Sequence, residues 1–397
     1  MTREYEKTHP WITFTLNTNG FSHHLWIALG EAKSKCEHIS NVPLHPDIQT
    51  ELHRVLLAKG AHATTSIEGN TLSEEEVLKH IRSGNPPSSA EDYEKKEVNN
   101  IINAFNQICD YVFENQSWKV TPEMIELHNS MVLDGLVVED GVVPGAIRSH
   151  SVGIAMARYK GAPAEDCHYL LQQLCDWLNE GFPDPAEQYD LTWGLIKAIV
   201  AHVYIAWIHP FGDGNGRTAR LLEFQLLLQA GVPTPTAHLL SNFYNKTRQE
   251  YYRQLDMASK SCGNLIPFIE YGVRGFVQGL RTELEQIRRH QWDVAWRDYV
   301  YGRFEHKRKV NERRQRDLLL DLSKSESPVS ISAIRSLSPK VAEMYANKTD
   351  KTIHLDVAKL VSMELIKRTD GAVYANRDTI LALLPRRRTE VGRNSTT

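Results

Sequence analysis

An apolar run that empties into a glycine-rich loop constrains this chain more than any other feature of its sequence. Across Gln188 to Ile208 the residues Leu191, Leu195, Ile196, Ile199, Val200, Val203, Tyr204, Ile205 and Trp207 leave almost no polar face. Such a run predicts a helix buried nearly all round, at the centre of a helical domain. It delivers His209, and the segment from there to Arg220 reads His-Pro-Phe-Gly-Asp-Gly-Asn-Gly-Arg-Thr-Ala-Arg. Gly212, Gly214 and Gly216 permit positive φ and leave backbone N–H groups open to an anion. A helical pattern follows from Arg217 to Gln229 and closes at Gly231, so the loop feeds a helix N-terminus, where negative charge is favoured. Arg217 and Arg220 lie three apart on one face and suit forked bonds to phosphate oxygens. A base, a carboxylate, an anion nest and two guanidiniums thus share one short segment, the parts needed to hold a polyphosphate and attack it.

The remainder of the chain reads as mainly α. With 397 residues, 24% charged and 41% hydrophobic, it has the balance of a globular protein of two or three domains. A loose start is followed by a helical rhythm from His45 to Ala58, a capping box at Ser73 and Glu76, and an amphipathic helix over Tyr93 to Phe113. Further helices are expected over Met124 to Val132, Pro163 to Asn179, Lys246 to Ser261 and Leu265 to Arg289, with a short β-hairpin within Val142 to Tyr159. Charge is uneven: residues 301–397 hold 20 Lys and Arg against 12 Asp and Glu, whereas the first 300 hold 26 against 37. That basic end carries a charged linker helix, then helical stretches at Gln315 to Leu322, Ile331 to Leu337 and His354 to Met363. Two β-type runs follow around Asp370-Gly371, a hairpin signal, giving the layout of a winged helix-turn-helix. No apolar stretch is expected to span a membrane. Five scattered cysteines without a Cys-x-x-Cys pair, and a polar N-terminus, lead to the expectation of a cytoplasmic protein.

The segment from His209 to Arg220 resembles the signature of the Fic family, His-Pro-Phe-x-Asp/Glu-Gly-Asn-Gly-Arg-x-x-Arg, at every defined position. The resemblance covers roughly residues 60 to 285 and implies a Fic-type helical core with a short hairpin flap. It implies adenylylation: AMP moved from ATP to a Ser, Thr or Tyr hydroxyl of a protein. His209 is then the base, Asp213 the ligand of Mg²⁺, and Gly214, Asn215, Gly216, Arg217 and Arg220 the phosphate-binding set, with Arg220 on the γ-phosphate. The residue types suit that chemistry, which rests on positioning and charge stabilisation. Tyr244 and Tyr251 are weaker candidates for an adenine pocket, with packing the equal alternative. Phe211 is expected to pack inward, and His202 to be a helix histidine.

A second match adds control. Thr64-Thr65-Ser66-Ile67-Glu68-Gly69 resembles the family's inhibitory pattern, Ser/Thr-x-x-x-Glu-Gly/Asn, placed N-terminal to the core as in the family's class II. Glu68 in a bidentate pair with Arg220 would deny that guanidinium to the γ-phosphate; it could also position water for removal of AMP. The flap, about Ile147 to Ala155, resembles the family pattern loosely through Gly145, Arg148 and Val152, and would pair with a target protein by strand addition. The expected division is an N-terminal region, 1–115, with the inhibitory helix; a catalytic core, 116–290; a linker helix, 291–310; a winged helix, 311–385; and a basic tail, 386–397. The resemblance admits a homodimer. The basic end admits DNA through 311–388, and with it the alternative of a DNA-binding regulator whose core only senses a nucleotide. A different transferred nucleotide, or phosphocholine, is a further alternative that the complete nest and both arginines disfavour.

Overall fold

Capping chemistry places several helices where the sequence signals them. The computed structural model describes residues 3–83, 93–115, 118–151, 160–182, 191–307, 309–325 and 327–381. In chain order the first helices are α1 (Glu4–Thr8), α2 (His23–Ser40), α3 (Pro46–Ser66), α4 (Glu74–Ser83), α5 (Tyr93–Glu114) and α6 (Pro122–Leu133). They are followed by α7 (Ala164–Asp176), α8 (Leu191–Ile208), α9 (Asn215–Gln229), α10 (Leu239–Lys246), α11 (Arg248–Lys260) and α12 (Ile266–Phe304). Helix α4 opens on the expected capping box: the Ser73 N–H donates to Glu76 Oε2 at 2.8 Å and the Glu76 N–H to Ser73 Oγ at 3.3 Å. Thr121 caps α6 by accepting the Met124 N–H, with Pro122 in the first turn.

The chain divides into two compact units, Met1–Leu284 and Glu285–Thr397. In the first, α8 and α9 pack along each other at the centre; α3, α5 and α6 pack on α9, and α2 and α7 on α8. One continuous apolar core joins them, so the N-terminal region and the catalytic region expected from sequence share a single interior. Helix α8 is 18 residues long and apolar enough to cross a bilayer, contrary to the sequence reading; 83% of it is buried inside the protein, which makes it the core helix. Helix α3 runs eight residues beyond the rhythm ending at Ala58, because Ala61, Ala63, Thr64 and Thr65 continue the buried stripe. That extension brings the inhibitory motif onto its last turn. Helix α12 reaches Phe304, and the run expected as one helix over Lys246 to Ser261 is split at Thr247 between α10 and α11.

The second unit continues with α13 (Val310–Leu322), β1 (Val329–Ser330), α14 (Pro339–Tyr345), α15 (Asp350–Ser362), β2 (Ile366–Thr369) and β3 (Ala372–Ala375). The strands form an antiparallel sheet in the order β1-β3-β2, with Val329 opposite Val373 and Lys367 opposite Tyr374. The β2–β3 turn falls on Asp370-Gly371 as the sequence signals, both at positive φ. Two readings change. Ile331–Ser336 is a 3-10 turn, and the intervening helix is α14, opened by Ser338 and Pro339. Residues expected as linker carry Trp296, Val300 and Phe304, which join Leu318, Leu322, Val357 and Leu360 in this unit's own core. The basic tail, with Arg386, Arg387 and Arg388, lies outside the described residues.

Candidate active site

The loop from His209 to Gly214 is built by backbone demands that the sequence meets. Gly214 has φ 76° and precedes α9 as its N-terminal cap, a conformation that glycine takes without a Cβ penalty. Asn215 closes the loop: its Oδ1 accepts the Phe211 N–H at 2.9 Å and its Nδ2 donates to the Phe211 carbonyl at 2.8 Å. The Asn215 side chain, expected within the phosphate-binding set, is therefore engaged at both ends by the loop itself, and the backbone N–H groups of the α9 N-terminus are the donors left at this helix end. Phe211 is buried, as expected, and pairs as an isolated β-bridge with Ile147. Asn129 of α6, fully buried and not singled out by sequence, ties this loop down. Its Nδ2 donates to the Asp213 carbonyl at 2.8 Å and to Thr218 Oγ1 at 3.2 Å, while its Oδ1 accepts the Gly145 N–H at 2.9 Å.

Both arginines of α9 are buried and held by carboxylates. Arg217 Nη1 donates to Glu97 Oε1 at 2.7 Å and its Nη2 to Asp213 Oδ1 at 3.1 Å. Glu97 lies on α5, and its second oxygen accepts Asn70 Nδ2 at 2.8 Å, so one buried carboxylate joins α9 to the turn that follows α3. Burial pushes the Glu97 carboxyl up, against the pull of Arg217 and Asn70. Sequence reading missed Glu97 because it sits on an ordinary amphipathic helix 120 positions from Arg217.

Arg220 Nη2 donates to Glu68 Oε1 at 2.5 Å and to the Thr64 carbonyl at 2.9 Å. Glu68 of the Thr64–Gly69 segment thus reaches the arginine expected of it, but through one guanidinium nitrogen rather than the two-pronged pair. Nε and Nη1 of Arg220 are buried with no protein partner among the described residues. A Cβ on Gly216 would collide with Glu68 Oε1, so the missing side chain there admits the carboxylate. Burial works to raise the Glu68 carboxyl; Arg220, with Arg217 and His209, outweighs it and holds the group below its usual range. The Glu68 side chain stays 32% exposed beside an Arg220 side chain at 0%. Gly69 ends the motif at φ 111°.

His209 has φ 50°, rare for a residue with a side chain. Its amide bonds back to the Ile205 carbonyl at 2.8 Å, and its own carbonyl accepts Arg148 Nε at 2.7 Å. Burial, followed by the nearby charge of Arg148, lowers the imidazole to about 4, with the Ala206 backbone, Glu68 and Asp213 opposing the shift. The ring is therefore neutral at pH 7 and in the form that accepts a proton.

The weaker expectations resolve differently. Tyr244 and Tyr251 are buried and stack at 4.9 Å between ring centres. The Tyr244 hydroxyl donates to Glu223 at 2.9 Å, and Tyr251 meets His202 at 2.9 Å. Both tyrosines are packed in the core, and His202 lies on α8 as the helix histidine expected, its Nδ1 3.5 Å from Glu223 Oε2. Most of the flap, from Val152, lies outside the described residues; its described root is Ile147 to Ser151. No cluster of three or more His, Cys, Asp or Glu able to hold a metal occurs among the described residues. Asp213 fits the more modest demand of Mg²⁺, one carboxylate with the rest of the shell from phosphate and water. Its side chain is 43% exposed, and its Oδ1 is fixed by Arg217 and by the Gly214 N–H.

Comparison with known proteins agrees with this architecture. Residues 120–227, from the start of α6 into α9, match the model of the Fic/DOC family. The matched stretch holds His209, the glycine loop and both arginines. Protein adenylyltransferase fic-1 of Caenorhabditis elegans is 28% identical over 235 residues, 56% of this chain and 42% of that protein. Protein adenylyltransferase Fic of Nematostella vectensis is 27% identical over 213 residues, 53% of this chain and 45% of that protein. The chain thus spans less than half the length of these relatives. Among solved structures, a Fic family protein from Desulfovibrio desulfuricans G20 shares the fold with a TM-score of 0.55 at 20% identity, covering 91% of this chain and 98% of that one. A segment of Fic-1 from C. elegans gives a TM-score of 0.51 at 25% identity, covering 67% and 73%.

Proposed function

We propose that the protein is an adenylyltransferase that moves AMP from ATP to a Ser, Thr or Tyr hydroxyl of a protein, itself included, and that Glu68 restrains it. The observation that carries this reading is the Glu68 carboxylate 2.5 Å from Nη2 of Arg220, at the head of an anion-binding helix. The N–H groups at the start of α9, with Arg217 and Arg220, would hold the phosphate chain. Neutral His209 would take the proton of the attacking hydroxyl. The hydroxyl oxygen bonds to the α-phosphorus, the bond to the bridging oxygen breaks, and pyrophosphate leaves with the electron pair. Asp213 would hold Mg²⁺, which neutralises phosphate charge when bound. With Glu68 on Arg220, the γ-phosphate meets a carboxylate where it needs a guanidinium, so ATP would bind out of line. Glu68 could also orient water for removal of AMP.

Intact-mass measurement tests this. Glu68→Gly with Mg²⁺ and ATP should gain AMP adducts, on itself or on an added target, that the parent lacks. Glu68→Gly/His209→Ala should gain none; labelling by the double variant would remove His209 as the base, and inert Glu68→Gly protein would remove the restraint.

A second reading adds DNA to the basic unit as a winged helix, with a nucleotide-sensing core. The supporting observation is that Asp356, an acidic residue on α15, is turned inward. It is buried against Arg314 Nε at 2.7 Å, Gln315 Nε2 at 2.7 Å and the Tyr345 hydroxyl at 2.9 Å. The outer face of α15 then presents Lys351, His354, Ala358 and Lys359. Anisotropy with a labelled duplex should show salt-sensitive binding that Lys351→Glu/Lys359→Glu removes while AMP transfer persists; no binding at low salt would exclude it. The target protein, the homodimer and the cytoplasmic location belong to the same proposal, and size measurement by light scattering tests the dimer.

A further inference from the structure

The flap root contains a buried arginine, Arg148, 5% exposed and hydrogen-bonded to no carboxylate among the described residues. Its guanidinium is held mainly by main-chain carbonyls, with the Cys167 thiol beside it. Nε donates to His209 at 2.7 Å, Nη1 to His150 at 2.7 Å, and Nη2 to Ala162 and, at 3.5 Å, to Ile208. Its backbone N–H donates to the Pro210 carbonyl at 2.9 Å. Burying a full charge against neutral acceptors is costly, so such an arrangement persists where the geometry it enforces matters.

Helix α8 ends at Ile208, and the last carbonyls of a helix have no partner within it. A cation there is favoured by the helix dipole. Arg148 supplies the cation and takes the carbonyls of the last helical residue and of His209 together. His209 at φ 50° is a conformation that survives only when its surroundings over-determine it. Here the amide is fixed by Ile205 and the carbonyl by Arg148, leaving the peptide on neither side free to turn. Gly161 closes the third side: a Cβ on it would lie 2.7 Å from His209 Cβ and 3.0 Å from Arg148 Nη2.

We propose that Arg148 is the positioning residue of the base: by clamping the carbonyls of Ile208, His209, His150 and Ala162 it fixes the His209 backbone and so the aim of its imidazole. The inference rests on His209 acting as the base. The test uses the full chain in the Glu68→Gly background, with single-turnover AMP transfer followed across pH and Mg·ATP affinity measured separately. Arg148→Gln should lower the rate constant about a hundredfold, the cost of misplacing a reacting group by about 1 Å. Affinity for ATP should change less than about threefold, because the α9 N-terminus is untouched. The charged groups facing His209 are Arg148, Asp213 and, in the parent, Glu68. Loss of the arginine charge should therefore move the acid limb of the rate profile toward neutrality. Arg148→Lys keeps the charge without the planar fork, so it should leave the acid limb in place and lower the rate about tenfold.

Parental rates in either folded variant would overturn the proposal. So would a loss of ATP affinity in step with the rate, since a merely structural role would damage both. Should Arg148→Gln not fold, the lysine variant decides by itself. Failure of the underlying reading looks different: His209→Ala would then still transfer AMP.

Discussion

Two sides of one loop hold their arginines in opposite ways. On the α9 side, Arg217 and Arg220 meet the carboxylates of Glu97, Asp213 and Glu68. At the end of α8, Arg148 meets main-chain carbonyls and the Cys167 thiol, and no carboxylate among the described residues. A carboxylate and a phosphate compete for the same fork of donors, so an arginine held by a carboxylate is ready to exchange one anion for another. An arginine held by main-chain carbonyls has no such alternative and serves geometry. The α9 side is therefore suited to a ligand and its competitor, the α8 side to keeping a histidine still. Within the α9 side the carboxylates also differ: Glu97 is 4% exposed and shared by two donors, whereas Glu68 is partly open to water.

That contrast can be broken by substitution, beginning where the effect is largest. Glu97→Ala leaves buried Arg217 with only the partly exposed Asp213 as a carboxylate partner among the described residues, and removal of one partner from a buried pair costs up to about 3–5 kcal/mol. Denaturant unfolding should show that loss with an unchanged slope; a cost below about 1 kcal/mol would mean that Glu97 is as exchangeable as Glu68. Asn129→Ala should come next, since it orphans the Gly145 N–H and frees the Asp213 carbonyl, at about 2–3 kcal/mol by the same measurement.

Acid separates the buried histidines of the fold from the Glu68–Arg220 pair without mutation. Burial holds His128 at about 4 and His238 at about 3, so both fold neutral. Their folded values lie below the ordinary histidine value, so the unfolded chain binds more protons as pH falls through about 6.5, and stability declines from there. By pH 5 the loss is about 2 kcal/mol per histidine. The Glu68–Arg220 contribution has the other profile: present above the ordinary carboxylate range, it is lost only as pH falls through the lower folded value. Thermal melts between pH 7 and 5 should thus decline while AMP transfer by the parent stays restrained; release of activity before any drop in Tm would reverse that order.

Least costly to the fold is Glu68→Gln, with a change under about 1 kcal/mol because the pair is partly solvated. AMP incorporation should nevertheless rise at least about tenfold. A large fall in Tm with no gain in labelling would put Glu68 in the same class as Glu97.

What could be read in the sequence follows the same line. The glycine loop and its two arginines were legible because glycines, a carboxylate and arginines are local requirements at fixed spacing, and α8 was legible because an all-apolar helix has one place to go. Glu97 and Arg148 were not legible as partners, for their acceptors and donors lie 120 and 61 positions away and their residue types suit any surface. Tyr244 and Tyr251 were ambiguous because an aromatic can face a ligand or the core; in the structure Tyr244 is packed in the core and bonded to buried Glu223. In the second unit β1 escaped notice because two residues make no alternation.

The double bond count at Nη2 of Arg220 has a genetic consequence. That nitrogen is bonded to the Thr64 carbonyl, which side-chain replacement leaves in place, and to the Glu68 carboxylate, which a single codon change removes. Scaffold and control are thus written in different parts of the same short motif. Under the proposed function, selection can reset the resting rate through codon 68 alone, leaving the guanidinium seated where the substrate needs it.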